Sequence, residues 1–301
     1  MNKKKKIIAI TSVILALAIG ISLCVTLILG TSQGELPEDK VFGFREKPED
    51  AIRVMSFNIR CTNVGTRFTK ARTPDVIATV LNGMPDSMGV QEATPKWMKI
   101  LTEELGDYYA WVGEGRDGNG KGEYSAIFYL KDKYNLIDSG TFWLSETPEV
   151  MSKDWGAAHY RICTYIILRD RATSEEFVVF NTHLDHVSDE ARINGIKVVL
   201  DKIAEFNNIP AFLMGDLNAE EDSKTYKSAT ENFFDTKYQT ENTMTSCTYQ
   251  AWGKQLDKNC IDYILVSKTG FKTNSYKVVT DTYDGVYSSD HFPLSVSLSF
   301  E

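Results

Sequence analysis

The chain has 301 residues, 43% hydrophobic and 25% charged, an ordinary globular composition that excludes a disordered, collagen-like or disulfide-scaffold protein. Lys3, Lys4, Lys5 and Lys6 are the only charges before Glu35, so the remainder sets 29 basic against 41 acidic residues, a net −12. A body that acidic lacks the basic surface with which coating and architectural proteins neutralise DNA or anionic lipid, but a phosphate-cleaving enzyme whose acids are covered by a divalent cation is not excluded.

In chain order, the four lysines precede an uncharged run over residues 7–29. As a helix rising ~1.5 Å per residue, this run is long enough to cross a bilayer. Basic residues before it and Glu35, Glu38 and Asp39 after it predict a cytoplasmic N-terminus and an exported body. A cleaved signal, giving a secreted protein, is the alternative. The run is longer than a usual signal core of roughly 7–15 residues, and Ile28-Leu29-Gly30-Thr31 offers no small-x-small site. The reading is a basic cytoplasmic segment at 1–6, a transmembrane anchor or signal segment at 7–29, a Gly- and Pro-containing linker at 30–50, and one domain at 51–301.

Within 51–301, short β-branched or aromatic runs bounded by turn residues predict strands at Arg53–Ile59, Ser87–Gln91, Tyr108–Gly113, Ser125–Leu130, Cys163–Leu168, Phe177–Thr182, Pro210–Gly215, Ile261–Val266 and Leu294–Phe300. Ile193, Ile196, Leu200 and Ile203 share one face of a helix predicted over Asp189–Phe206. Helices are also predicted near Pro74–Leu81 and Pro95–Glu104, with proline in the first turn. So many strands for so few helices predict two packed sheets with helices outside, not one doubly wound parallel sheet. Of the cysteines in this domain, Cys163 reads as a buried thiol, and Cys247 and Cys260 are near enough in sequence to close a short disulfide loop; Cys61 completes the set.

Polar residues gather where these strands end: Asn58 in Ser-Phe-Asn-Ile-Arg, Glu92 in Gly-Val-Gln-Glu, His183 in Asn-Thr-His-Leu-Asp-His, and Asp216 and Asn218 in Met-Gly-Asp-Leu-Asn-Ala. Asp262 opens the next strand, and Asp290 and His291 precede the last. Each alone is an ordinary turn former or solvated edge. Together, if the sheets bring the ends into one place, they supply hard oxygen ligands for Mg²⁺ or Mn²⁺ and groups that orient water and hold phosphate. No clustered Cys/His spacing suggests zinc, and neither an HExxH helix nor a GxSxG turn is present to suggest a peptidase or esterase.

The ordered set SFNIR, GVQE, NTHLDH, MGDLNA, IDYILV and SSDHFPL resembles the endonuclease/exonuclease/phosphatase superfamily over essentially all of 51–301. GEYSAIFY, GTFWLSETPE and RICTY resemble a bacterial subgroup of it. The resemblance implies an α/β fold, specifically a four-layer αββα sandwich of two mixed β-sheets flanked by helices, and a hydrolase acting on phosphate esters with Mg²⁺ or Mn²⁺. By position it implies Glu92 as the main metal ligand, beside Asn58 and Asp290. Asp216 would orient or deprotonate water, with Asn218 holding that water and a phosphate oxygen. His291 would contact the phosphoryl group, its ring held by Asp262, and His183 would be a second phosphate contact or a proton donor.

Arg161 is a candidate phosphate clamp, and Glu123 and Tyr124 border the same predicted pocket beside the glycine-rich stretch 113–122. His159 and His186 read as structural or rim residues, and Trp143, Trp155 and Trp252 as packing residues. Nucleic acid, nucleotide, phospholipid head group and sugar phosphate all remain open as substrates; no obligatory protein partner is inferred, and the predicted anchor is the link to a membrane. A catalytically silent binding module on the same fold is the rival, weakened because no motif residue is missing.

Overall fold

The computed structural model describes residues 51–61, 68–206, 209–256 and 260–301. The apolar run 7–29 lies outside them; among the described residues no helix is long and apolar enough to cross a membrane.

Seventeen strands and helices follow one another: β1 (Ile52–Asn58), α1 (Thr69–Gly83), β2 (Ser87–Ala93), α2 (Pro95–Leu105), β3 (Tyr109–Val112), β4 (Tyr124–Leu130), β5 (Tyr134–Trp143), β6 (Ile162–Asp170), β7 (Glu176–His183), α3 (Asp189–Ala204), β8 (Ala211–Asp216), α4 (Lys224–Thr230), β9 (Phe233–Asp235), β10 (Thr243–Met244), β11 (Asp262–Ser267), β12 (Phe271–Val278) and β13 (Leu294–Phe300). One sheet has the order β10-β12-β13-β1-β2-β4-β3 and the other β5-β6-β7-β8-β11-β9. Both are mixed, since β1–β2 and β7–β8 run parallel while most other neighbours run antiparallel.

Strand alternation sorts the side chains into layers. Val54, Val179, Phe212, Met214, Ile264 and Val296 fill the space between the sheets. Met55, Phe57, Met88 and Val90 face outward onto Val76, Val80, Trp97 and Leu101 of α1 and α2. Val178, Phe180, Leu213 and Leu265 face outward onto Ile196 and Val199 of α3 and Ala229 of α4. The result is the expected αββα sandwich. Ser188 caps α3 by accepting from the Ala191 amide, and Thr94 caps α2 through the Trp97 amide.

All nine predicted strands are present, with ends shifted by no more than two residues. β5, β9, β10 and β12 were not predicted: β9 and β10 are only three and two residues long, and β5 and β12 carry the polar runs and bulges of strands at or near a sheet edge. The predicted start of α1 is corrected: the helix begins at Thr69, so Pro74 lies inside it and not in its first turn. Among the described residues, none of Cys61, Cys163, Cys247 and Cys260 forms a disulfide. Cys247 and Cys260 donate instead to the Gln255 and Ser246 carbonyls at 3.4 and 3.3 Å, so no disulfide loop forms. Cys163 is fully buried, as expected.

A polar staple crosses the otherwise apolar interface between the sheets. Asn181 on β7 donates to the carbonyls of Val90 on β2 and Ala126 on β4, at 3.0 and 2.9 Å, and accepts from Gln91 Nε2 at 2.6 Å. Gln91 reaches on to Ser56 Oγ of β1 at 3.2 Å. These side chains are buried, so each bond removed would leave partners that water cannot satisfy. Gly89 makes the room: a Cβ there would lie 2.6 Å from Asn181 Cγ and 2.7 Å from Met214 Cε.

Replacing Asn181 by Ala should destabilise the protein by about 3 kcal/mol or more, because several buried groups lose their partners at once. Gly89→Ala should cost about 1–3 kcal/mol through overpacking. Denaturant unfolding of the two single variants and the double variant should give a double-variant loss smaller than the sum, since removing the Asn181 amide relieves the clash.

Candidate active site

Pairing register brings three of the motif residues side by side. His183 pairs with Asp216 across β7 and β8, and Asp216 pairs with Asp262 across β8 and β11. Asp216 and Asp262 continue the inward-facing rows Phe212–Met214 and Ile264–Val266, so they stand at the end of the inter-sheet layer. From the other sheet, Asn58 ends the inward row of β1. Glu92 has a different origin. Met88 and Val90 face the helices, and regular alternation would send Glu92 after them. Instead the β2–β4 register shifts between Val90 and Ala93, and Glu92 sits at φ +58° in the left-handed region. This bulge re-aims its carboxylate into the site.

The groups form one network. Asn58 Nδ2 donates to Glu92 Oε1 at 3.2 Å and Asp216 Oδ2 at 3.0 Å. The Cys61 amide donates to Glu92 Oε2 at 2.9 Å. Asp216 Oδ1 accepts from the Asn218 amide at 2.9 Å, and Asn218 Nδ2 donates to the Leu184 carbonyl at 3.0 Å. His183 Nε2 and His291 Nε2 lie 3.6 and 3.8 Å from Asp216 Oδ2. His291 Nδ1 meets Asp262 Oδ2 at 2.9 Å, the expected carboxylate–imidazole pair.

Burial and neighbours separate the charges. Burial opposes ionisation of Glu92, but Arg60 and the Cys61 amide outweigh it and hold its carboxyl well below the usual carboxylate range. Burial, then repulsion from Asp262, pushes Asp216 up to about 7. Burial works against a charged His291, but Asp262 overrides it and raises the imidazole to about 10. Burial and Arg161 push His183 well below its ordinary value, so one imidazole is a cation and the other neutral.

Two sets of oxygen-bearing side chains could hold a cation. Asp216, Asp262 and His291 approach one another closely enough to share an ion. However, His291 Nδ1 is engaged by Asp262, and an imidazolium offers no lone pair to a metal. Glu92 and Asp290 are the better fit: hard carboxylate oxygens, one of them firmly ionised, suit Mg²⁺ or Mn²⁺. Asn58 presents its NH₂ to Glu92 and Asp216, and its Oδ1 accepts from the Arg60 amide at 3.1 Å.

The site opens into a cleft of about 350 Å³ lined by Glu92, His183, Asp216, Asn218 and His291 at its base and by Glu123, Arg161, His159 and His186 at its rim. Tyr124 does not reach it. That ring packs edge-on against Trp111, 6.2 Å between centroids, within the layer between the sheet and its helices.

Four residues were not singled out from the sequence. Arg60 and Arg116 line the cleft, as does Tyr249, whose ring lies 5.0 Å from that of His291. Arg60 was legible as the last residue of the Ser-Phe-Asn-Ile-Arg motif, and Arg116 as the only arginine in the glycine-rich stretch. Arg72 lies behind the site. It donates to the carbonyls of Ile59 and Ser288 through Nη1 and of Arg60 through Nη2, with its guanidinium over Trp97 and Trp252. Nothing local in the sequence marks Arg72, because its partners are up to 216 residues away. Trp143 has a packing role, donating through Nε1 to the Arg116 carbonyl at 2.8 Å.

The endonuclease/exonuclease/phosphatase family model matches residues 55–291. Among solved structures, the mannosyl-6-phosphatase of Bacteroides thetaiotaomicron is 34% identical, with 83% of this chain and 100% of that one covered at a TM-score of 0.79. An endonuclease/exonuclease/phosphatase family protein of the same organism is 33% identical, covering 83% and 98%, also at 0.79. The catalytic domain of human Nocturnin, at 19% identity, 84% and 94% coverage and a TM-score of 0.68, shares the fold. No curated protein matches the chain. With the motif residues assembled in one cleft and the match spanning nearly the whole described body, the chain belongs to the endonuclease/exonuclease/phosphatase family, whose members hydrolyse phosphate esters.

Proposed function

We propose that this protein is a divalent-cation-dependent phosphomonoesterase that acts on small phosphate esters of the sugar-phosphate class outside the cytoplasm. One observation carries the choice of monoester: Arg60, Arg116 and Arg161 all line the same cleft. Arg161 is almost fully buried and partnered by Asp185 and His186, at 3.6 and 3.0 Å, and Arg116 by Glu123 at 2.8 Å. Guanidinium groups left with donors to spare suit the doubly charged phosphoryl group of a monoester better than the single charge of a diester. Together they place three guanidinium groups in one cleft of a chain whose body is net −12, an arrangement that suits a compact anion better than a long one.

The cleft volume of about 350 Å³ falls toward the small end of ligand pockets, roughly 300–1,000 Å³. The likeness to a mannosyl-6-phosphatase over nearly the whole body supports the same class of substrate. The basic segment and apolar run at 1–29 support placement of the domain outside the cytoplasm, held by an anchor or released after cleavage.

In this reading a water attacks phosphorus, the bond from phosphorus to the ester oxygen breaks with its electron pair going to that oxygen, and the oxygen takes up a proton so that the alcohol leaves. Asp216 takes the proton of the attacking water; a carboxyl at about 7 is matched to that task at neutral pH, and Asn58 and Asn218 fix its two oxygens. The His291 cation, oriented by Asp262, faces charge developing on the phosphoryl oxygens. Arg116 and Arg161 hold the remaining oxygens and the ester's polar groups. Glu92 and Asp290 would hold the divalent cation, which supplies Lewis-acid polarisation of the phosphoryl group when bound.

The test is hydrolysis by the full-length chain, in detergent, of mannose 6-phosphate, a chromogenic monoester and its matching diester, with Mg²⁺ or Mn²⁺ and with chelator. The monoesters should turn over only with the cation. Asp216→Asn should lower kcat by about 10²–10⁴-fold. Arg116→Ala and Arg161→Ala should each cut kcat/KM on monoesters by about tenfold or more, through lost charge-assisted bonds. Preferential cleavage of the diester, with Asp216→Asn still abolishing it, would turn the substrate assignment toward nucleic acid or phospholipid and refute the monoester reading.

A further inference from the structure

Arg60 occupies an unusual position. Its backbone is in the left-handed region at φ +58°. Its carbonyl accepts from Arg72 Nη2 at 2.7 Å and Trp97 Nε1 at 3.0 Å, and its amide donates to Asn58 Oδ1 at 3.1 Å. The peptide is therefore held from three elements: β1, α1 and α2. The side chain is not. It is 39% exposed, and its head lies between the two carboxylates that best fit a cation, with Nη1 at 3.3 Å from Glu92 Oε1 and Nε at 3.4 Å from Asp290 Oδ2.

These separations are longer than the roughly 2.7–2.9 Å of a well-formed charge-assisted bond, and no parallel fork is made to either carboxylate. The guanidinium neutralises both acids without binding either one tightly. Fixed backbone, free head and loose pairing are what an exchangeable counter-ion needs.

We propose that Arg60 is a tethered competitor for the divalent cation: its guanidinium and the metal share Glu92 and Asp290, and one must withdraw toward solvent for the other to bind. This rests on the reading that Glu92 and Asp290 hold the cation. Two consequences follow from a competitor built into the chain. The acids stay compensated when free cation is scarce, so the fold is not strained by repulsion between them. The apparent cation affinity is set below what the carboxylates alone would give, by the free energy of their pairing with Arg60.

The experiment is Mn²⁺ titration of the full-length chain in detergent, read from the electron-paramagnetic resonance signal of free Mn²⁺, alongside thermal unfolding in chelator. The parent is compared with Arg60→Gln, Arg60→Lys and Glu92→Gln. Arg60→Gln should bind Mn²⁺ about tenfold more tightly, as expected for loss of two partly exposed ion pairs. It should unfold cooperatively in chelator at a lower temperature than the parent and gain more from added Mn²⁺. Arg60→Lys, which restores a cation on a flexible stem, should return affinity toward the parent. Glu92→Gln should weaken binding. Equal or weaker Mn²⁺ binding by Arg60→Gln, while Glu92→Gln still loses the metal, would overturn the competition and leave the metal site standing. Unchanged binding in Glu92→Gln would remove the metal site and the competition together.

Discussion

The site depends on how two sheets are held against each other, and a buried amide does much of that holding. Apolar side chains between sheets favour contact but tolerate sliding, because dispersion and hydrophobic burial are not directional. Asn181 is directional. Its bonds to Val90, Ala126 and Gln91 fix β7 against β2 and β4 at one register. His183 lies two residues beyond Asn181, and Glu92 next to Gln91, so the staple sets the distance between groups contributed by different sheets. The Val90 carbonyl that it satisfies lies at the edge of the β2 bulge, so the bond that joins the sheets also supports the kink that turns Glu92 inward.

Around this frame the charges are arranged in a graded way. Asp262, Asp216 and Glu92 would repel one another if left alone in a dry site. Each instead has a different partner: the His291 cation for Asp262, amide donors for Asp216, and Arg60 with the Cys61 amide for Glu92. The environments push the carboxyls apart, Glu92 down and Asp216 up, so two neighbouring acids differ in proton affinity. The rim adds Arg116 and Arg161, paired with Glu123 and Asp185, so that guanidinium groups line the cleft of an acidic protein.

Much of the fold was legible because local rules carried it. β1, β8 and β11 are largely apolar runs with a polar residue at the end nearest the cleft, and Asn58, Asp216 and Asp262 were read as site candidates from that joint pattern and from the motif set, not from any one strand. Tyr124 was misread because adjacency in sequence to Glu123 says little in a strand, where neighbours face opposite sides. β5, at a sheet edge, and β12, one strand in from an edge, were missed because they carry polar residues that otherwise mark loops. Pro74 misled because a proline usually marks a helix start, yet α1 extends five residues before it.

The sequence by itself determined the class of chemistry, because the ordered motif set at the strand ends places the chain in a family of phosphate-ester hydrolases. It also determined the layering, since the period of the apolar residues is a property of the chain. The tertiary structure decided what each group is next to. The inward turn of Glu92, the split between a charged His291 and a neutral His183, the bracing of Arg60 by Arg72 and Trp97, and the meeting of three arginines in one cleft all come from contacts between elements far apart in the chain. Electrostatic character is set by distance and burial, and neither is written in the spacing of residues along a strand.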